Sequence, residues 1–325
     1  MRLVRGFSVY ELVLGSAAML ALGAIVGGIS QGNEKQNQAK CISNLKLLAE
    51  GIEFYKSDTD DVYPLATTFD HQAGKWRFPG QWNGSQLIEF PYNWRTSQNA
   101  ARWNENLSGW ANAIYPYVQN RSLFACPSGF ERKRSNSAAD KGGLIADYLE
   151  PNPSTAPALV SYTYNGLLHA WDARGIVNPA ELCMLWEGTG NAAVKGFAMS
   201  NPLMKCSTLD KPCLYVPYSG KGACPLTESS EKPAVLFDMK RGSALPGGSF
   251  YVHTLDGTHH GMNFAYCDTH VKFKALGQTF ASDGSSGTDR RVEPFVGYDA
   301  EGYPTTEWSD GCWPIWFRPD YDFKS

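Results

Sequence analysis

The sequence predicts an α+β protein in which one long N-terminal helix precedes a head built from short strands. Two observations support this prediction. No proline interrupts the chain between Phe7 and Lys56, and the apolar pattern over this stretch suits a single helix of about 50 residues. Beyond residue 58, short alternating apolar runs are separated by turn-forming residues, which is typical of strands in a loop-rich domain.

The composition is that of a folded protein with a substantial core. The 325 residues include 29 Lys and Arg against 32 Asp and Glu, for a formal net charge of -3. This balance argues against a strongly basic nucleic-acid-binding protein, and no nucleic-acid partner is predicted. Charged residues make up 19% of the chain and hydrophobic residues 43%, which also argues against extensive disorder.

The first six residues and the apolar run after them predict a membrane-inserted segment. Residues 1–6 contain Arg2 and Arg5, and residues 7–29 are mostly apolar. At 1.5 Å per residue this run would span about 34 Å, enough to cross a bilayer core of about 30 Å. The two arginines predict that residues 1–6 stay in the cytoplasm and that the rest of the chain lies outside it.

Glu11 is the exception within the apolar run. A carboxylate inside a membrane helix costs about 2.5–3.5 kcal/mol, so its presence indicates a function. If the chain is cut after Gly6, Phe7 exposes a new amino group. The Glu11 carboxylate of a neighbouring copy would then neutralise that amine in the apolar interior. The alternative is that Glu11 lies near the membrane surface and reaches the lipid headgroups.

The residues around this cut site read Arg5-Gly6-Phe7-Ser8-Val9-Tyr10-Glu11. This segment, with its apolar continuation, resembles the class III signal of type IV pilins and type II secretion pseudopilins. The resemblance implies that residues 1–6 are a leader, that a prepilin peptidase cuts after Gly6 and methylates Phe7, and that Glu11 supports assembly. The implied partners are other copies or related pilins in a helical filament, together with inner-membrane assembly machinery. The implied location is the bacterial inner membrane before assembly and a periplasmic or extracellular filament afterwards.

Residues 30–57 predict an amphipathic continuation of the same helix. Its apolar positions recur at intervals of four, three, four and three residues, so they share one face that can pack on the head. These positions are Cys41, Leu45, Leu48, Ile52 and Tyr55. Residues 58–61, Asp-Thr-Asp-Asp, end the pattern, and Pro64 prevents its return.

Residues 58–325 form the predicted β-rich head, in which few helices are expected. A short helix is predicted over 111–118, ending near Pro116, and residues 65–109 are interpreted as a loop. The predicted strands are Val160–Asn165, Glu181–Glu187, Val235–Asp238, Phe250–His253, Met262–Cys267 and His270–Lys274. The last two form a C-terminal hairpin element near 259–274, because two residues, Asp268 and Thr269, separate them.

Scattered motifs occur in the helix and head: Cys41-Ile42-Ser43-Asn44-Leu45-Lys46, Tyr115-Pro116-Tyr117-Val118, Cys126-Pro127-Ser128, Tyr162-Thr163-Tyr164-Asn165, Asn178-Pro179-Ala180-Glu181 with Glu187 beyond, and the segment 259–273. They resemble a group of large bacterial pilin-like proteins with a C-terminal His-x9-Asp-Gly element. Two positions depart from that group: Thr269 stands where it has glycine, and His259 lies one place late relative to Asp268. The resemblance implies a pilin-like fold with the long helix packed on a four-stranded antiparallel sheet carrying long loops.

The C-terminal half of the head contains two sets of residues with metal-ligand chemistry. Imidazoles and carboxylates that suit zinc are Asp256, His259, His260, Asp268 and His270. Carboxylates in glycine-rich surroundings that would suit calcium are Asp283, Asp289, Asp299 and Asp310. For the first set, roles in a tight turn, at strand ends or on polar hairpin faces are favoured over metal binding, and the second lacks an Asp-x-Asp-x-Asp-Gly loop, so no cofactor is predicted. No nucleophile elbow, zinc-protease helix or Walker loop occurs, and an enzyme is not expected.

The eight cysteines include no Cys-x-x-Cys pair, and their even number fits disulfides in an oxidising compartment. Cys206, Cys213 and Cys224 lie in a loop rich in proline and glycine, where local disulfides would replace missing core. A bond between Cys41 and Cys126 would tie the helix to the head, although the sequence does not determine the pairing. Free buried thiols are the alternative.

Two hypotheses about function follow. The first is a structural subunit of a type IV pilus-like or type II secretion pseudopilus filament, assembled through its N-terminal helix. The second is a membrane-tethered or filament-tip adhesin that binds a surface or a glycan through tryptophan-rich loops. The tryptophans concerned are Trp76, Trp82, Trp94, Trp103 and Trp110. Packing in the core or between subunits is the alternative role for these side chains.

Overall fold

The computed structural model describes the chain in the ranges 9–76, 86–96, 98–131, 155–188, 192–202, 213–219, 261–275 and 315–323, with a few single residues and four two-residue strands besides. For residues 9–32 the description covers the helical backbone and not the side chains. The proposed leader 1–6 and Phe7 lie outside the described residues.

The described α-helices are α1 (Val9–Asp58), α2 (Ala100–Leu107) and α3 (Trp110–Val118). Short 3-10 segments are Arg121–Phe124, Gly166–Leu168, Ala173–Gly175 and Ile315–Phe317. The prediction of one continuous helix is confirmed, since α1 has 50 residues. It ends where the sequence predicted: Asp60 and Asp61 take φ values of 54° and 62°, a left-handed conformation that aspartate tolerates.

The strands are β1 (Phe69–Asp70), β2 (Lys75–Trp76), β3 (Gln86–Glu89), β4 (Phe130–Glu131), β5 (Leu159–Val160), β6 (Thr163–Asn165), β7 (Cys183–Trp186), β8 (Ala192–Lys195), β9 (Phe197–Asn201), β10 (Leu236–Phe237), β11 (Ser249–Phe250), β12 (Gly261–Tyr266), β13 (Val271–Ala275), β14 (Gly297–Tyr298) and β15 (Pro304–Thr305). Six of them form the central sheet in the order β13-β12-β7-β6-β9-β3. Its neighbouring strands are antiparallel, except for the parallel pair β6 and β9. The remaining strands form the small sheets β1-β2, β4-β8-β5, β10-β11 and β14-β15.

The C-terminal half of α1 packs on one face of the central sheet. The predicted seam is confirmed, because Cys41, Leu45, Leu48 and Ile52 are fully buried, and Tyr55 packs partly buried against the same cluster. These residues meet α3 and the strands β7, β12 and β13. Gly51 permits the close approach of α3, since a Cβ atom there would lie 2.6 Å from Val118 Cγ1.

The opposite face of the sheet is covered by an aromatic cluster from the C-terminal segment. Met262, Phe264 and Tyr266 of β12 share this face, as their alternation predicted. They pack with Trp186 and with a set of C-terminal aromatic side chains: Trp313, Trp316 and Phe317. Both faces of the sheet are therefore buried, and β12 contributes to each of them.

The prediction of a hairpin is confirmed, but its connection comprises four residues, 267–270, instead of two, because β12 ends at Tyr266 and β13 begins at Val271. Three other predictions for the head are corrected. The strand expected over Val160–Asn165 is divided into β5 and β6, because the Ser161 amide donates to the carbonyl oxygen of Phe124 instead of a strand partner. The loop interpretation of 65–109 is wrong, since β3 and α2 lie within it. The central sheet has six strands, with one parallel pair, instead of four antiparallel strands.

The reason for the missed elements is burial. All four side chains of β3 are buried, so the strand shows no alternation of apolar and polar residues. In α2 the buried side chains are polar: Arg102, Glu105 and Asn106. Hydrogen bonds allow these polar side chains to be buried, so α2 shows no apolar periodicity. Arg102 Nη1 donates to Glu105 Oε2 at 2.8 Å, and Asn106 Nδ2 donates to Glu89 Oε2 at 3.1 Å.

Candidate functional site at the junction of helix and head

A disulfide between Cys41 and Cys126 joins α1 to the head, as the sequence hypothesis proposed. The two Cα atoms lie 5.0 Å apart, although 85 residues separate them in the chain. Two hydrogen bonds surround the bridge: Asn44 Nδ2 donates to the carbonyl oxygen of Ala125 at 3.0 Å, and the Tyr162 hydroxyl donates to that of Cys41 at 3.4 Å. The helix is thus held to the head covalently and by polar contacts.

Glu187 is a buried carboxylate beside this disulfide. One of its oxygens and the two bonded sulfurs lie within 4.8 Å of one another. The backbone amide and the side-chain amide of Asn263 donate to its two oxygens at 2.9 and 3.0 Å. Burial raises the pKa of Glu187 to about 7, against the opposing effect of the Asn263 hydrogen bonds, and the Glu34 carboxylate of α1 raises it further. The bonded sulfurs offer no thiolates, so the cluster does not form a zinc site in this state.

A Glu187→Gln variant is expected to become more stable relative to the wild type as pH rises. An unfolded glutamate has a pKa of about 4.5, so the buried group stabilises the fold fully only below that pH and loses this contribution as pH rises through 7. Between pH 5 and pH 8, the free energy of unfolding of the variant should rise by about 2.5 kcal/mol relative to the wild type. Urea unfolding at both pH values measures this difference.

The matched control for that measurement is Glu181→Gln. Glu181 is a half-buried glutamate that precedes β7, whereas Glu187 follows it. The pH-dependent change in stability should be larger for Glu187→Gln than for this control. A Glu187→Gln difference that stays constant from pH 5 to pH 8 would show that the Glu187 carboxylate is not destabilised by burial.

The turn of the β12–β13 hairpin is fastened to α1 by a lysine. Lys46 Nζ donates to Thr269 Oγ1 at 2.9 Å and to the Thr269 carbonyl oxygen at 3.1 Å. Thr269 has a φ of 69°, which is unusual for a β-branched residue and natural for glycine. The Lys46 contacts therefore hold the turn in a conformation that threonine disfavours.

The predicted metal ligands are only partly covered by the structure. Asp268 and His270 are brought together, with His270 Nδ1 2.6 Å from Asp268 Oδ1, and the His270 ring stacks on Tyr266 at 4.3 Å between centroids. Lying outside the described residues are Asp256, His259, His260, Asp283, Asp289, Asp299 and Asp310. The metal-site hypotheses therefore remain predictions.

The described tryptophans favour the core role over the ligand-binding role. Trp94 and Trp110 are fully buried, and their Nε1 atoms donate to the carbonyl oxygens of Gly196 and Met199 at 2.6 and 3.0 Å. Neither offers an exposed platform, so the glycan-binding hypothesis is wrong for these two side chains. Trp76 and Trp103 are half-buried, and Trp82 lies outside the described residues.

The head contains both disulfide-bonded cysteines and free buried thiols, the two alternatives that the sequence left open. Cys213 is disulfide-bonded, while Cys206 and Cys224 lie outside the described residues. Cys183 and Cys267 are free and buried. Burial raises the pKa of Cys267 to about 12, so this thiol stays protonated and unreactive at neutral pH.

The structure describes little of the residues proposed for processing and assembly. Gly6 and Phe7 lie outside the described residues, and Glu11 is described through its helical backbone only. Among the residues that the structure describes, no helix meets the length and apolarity required of a membrane-crossing segment.

Sequence reasoning assigned no role to Glu187, Lys46 or the buried His169. A signal existed for Glu187, because an acidic residue ends the apolar run 182–186 that forms β7. Lys46 belongs to the motif 41–46, but nothing in the sequence indicated that its partner is Thr269, 223 residues away.

Comparisons with known proteins find no relative of this chain: no family model, curated protein or solved structure matches it. The residues and their geometry are therefore the basis for a proposal about function.

Proposed function

We propose that the protein is a structural subunit of a type IV pilus-like or type II secretion pseudopilus filament. The observation that carries this proposal is the division of α1. The helix begins at Val9, and among its described side chains, residues 33–58, the buried seam begins at Cys41. The stretch from Val9 to Lys40 would be about 48 Å long at 1.5 Å per residue. It contains most of the apolar run, and in the proposed filament this run packs against other copies.

The junction between helix and head suits this role. The Cys41–Cys126 bond and the Lys46–Thr269 contacts fix the head to the helix, so a head would follow the helix into an assembly. When the helix leaves the membrane, its apolar side chains exchange contacts with lipid for contacts with protein. Close packing between helices therefore has to supply most of the favourable free energy of assembly. The Glu11 carboxylate would neutralise the amine of a neighbouring Phe7 within that packing.

The proposal requires a defined N-terminus, which mass analysis of protein purified from the inner-membrane fraction of cells with a prepilin peptidase can test. The expected chain begins at Phe7 with a methylated amino group. An intact Met1, or a cut after Ser30, would contradict the proposed processing.

Assembly itself is tested by Glu11→Ala. The variant should be cut and exported normally but should lose sedimentable filaments, because the amine of a neighbouring copy would remain unpaired in an apolar interior. Glu50→Ala, which removes a half-exposed glutamate of the same helix, is the control and should assemble. Normal filament yield from Glu11→Ala would refute this role of Glu11.

A further inference from the structure

One flank of α1, about a third of a turn around the helix from the buried seam, carries a stripe of four residues, Lys40, Leu47, Phe54 and Asp58, which we call the outer stripe. Leu47 is 41% exposed and Phe54 is 60% exposed, although both are large apolar side chains. Eighteen residues separate Lys40 from Asp58, which is five turns of an α-helix, so the two charged residues lie on the same side. Isolated exposed apolar side chains are common on protein surfaces; here the opposite charges at the two ends of the outer stripe are what indicate a contact surface.

The two ends of the outer stripe are opposite in charge. Lys40 is exposed, and it forms no ion pair with the residues that the structure describes. Asp58 is exposed and accepts a hydrogen bond from the Tyr117 hydroxyl at 2.7 Å, and Tyr117 also stacks against Phe54. Two further exposed aspartates, Asp60 and Asp61, follow at this end. The outer stripe is therefore complementary to a displaced copy of itself.

We propose that the outer stripe binds a second copy of this chain whose α1 runs parallel and is displaced by eighteen residues, about 27 Å. In this arrangement Lys40 of one copy pairs with Asp58 of the next. The same displacement brings position 29, at the end of the apolar run, level with Leu47 of the next copy. One displacement thus accounts for the charges and for Leu47, whereas Phe54 lies level with Gln36 of the other copy and stacks against Tyr117 of its own chain. This inference rests on the proposed filament function, because the filament supplies the parallel copies.

A second copy is a better occupant than a lipid surface. Anionic headgroups would attract Lys40 but repel the aspartates at the other end of the outer stripe. A copy of the chain offers a partner of the correct charge to each end. The neighbour concerned is distinct from the one whose amine meets Glu11, since that pairing requires a displacement of four residues only.

Charge reversal in the full-length protein tests the pairing in cells that supply the assembly machinery. Lys40→Glu and Asp58→Lys should each lower the yield of sedimentable filaments about tenfold, because each places like charges opposite one another. The Lys40→Glu/Asp58→Lys double variant should recover to within about twofold of the wild type. Lys35→Glu is the control, since this exposed lysine lies on another side of α1, and its filament yield should stay at the wild-type level.

Two measurements separate a folding defect from a lost contact. Urea unfolding should give Lys40→Glu and the wild type the same midpoint, and Asp58→Asn should lower filament yield while keeping an acceptor for Tyr117. Single variants that assemble normally, or a double variant that does not recover, would overturn the outer-stripe contact and leave the filament function standing. A wild-type protein that forms no filaments would overturn both.

Discussion

A Cys41→Ala/Cys126→Ala variant is expected to lose about 4 kcal/mol of unfolding free energy. The bond closes a loop with a sequence separation of 85 residues, and a loop of that length is strongly restricted in the unfolded chain. The loss should appear as a lower urea midpoint in the absence of reductant. The same change would remove the covalent link between α1 and the head while the buried seam and the Lys46 contacts remain, so the backbone amide hydrogens of residues 41–58 should exchange faster than in the wild type.

The control for the disulfide is Cys183→Ala, which removes a buried free thiol and should cost only about 1 kcal/mol through lost packing. Reductant should lower the stability of the wild type by more than it lowers that of the double variant, in which only other disulfides remain to be reduced. If the double variant were no less stable than Cys183→Ala, the bond would not contribute to holding the helix on the head.

A His169→Asn variant is expected to resist acid better than the wild type. His169 is fully buried, and its Nδ1 accepts hydrogen bonds from the backbone amides of Ala66 and Thr67 at 2.9 and 3.3 Å. Burial lowers the pKa of His169 from 6.5 to about 3. The neutral ring therefore stabilises the fold fully above pH 6.5, and this contribution is lost as pH falls from 6.5 towards 3.

The expected loss in the wild type from this one histidine is about 3 kcal/mol between pH 7 and pH 4. Asparagine cannot titrate in this range and still offers an oxygen to the two amides. The measurement is urea unfolding across pH 4–7, compared with His71→Asn, which removes an exposed histidine. Equal acid sensitivity of the wild type and His169→Asn would contradict the burial effect.

His169 and Glu187 act in opposite directions between pH 4.5 and pH 6.5. As pH rises through this window, the buried histidine makes the protein more stable and the buried carboxylate makes it less stable. Their contributions largely cancel in the wild type. If the unfolding free energy of the wild type varies little with pH, two large and opposite contributions would still be present. The His169→Asn and Glu187→Gln variants would reveal them separately.

The sequence by itself determined the helix and the hairpin. The absence of proline and the four-three spacing predicted α1 and its buried seam, because these features act through neighbouring turns of one helix. The turn residues Asp268 and Thr269 and the alternation of Met262, Phe264 and Tyr266 predicted the pairing of β12 with β13, because these features also act between neighbours in the chain. Local periodicity carries this information, and no distant residue is needed to interpret it.

Only the tertiary structure decided which distant groups meet. The sequence permitted several partners for Cys41, and it gave no reason to pair Glu187 with Asn263, 76 residues away. It likewise showed Trp94, Trp110 and His169 as residue types without showing that each would be enclosed. Burial and pairing depend on how remote segments pack, and the surrounding protein then sets the pKa of Glu187 and of His169, because desolvation acts on whatever that packing encloses.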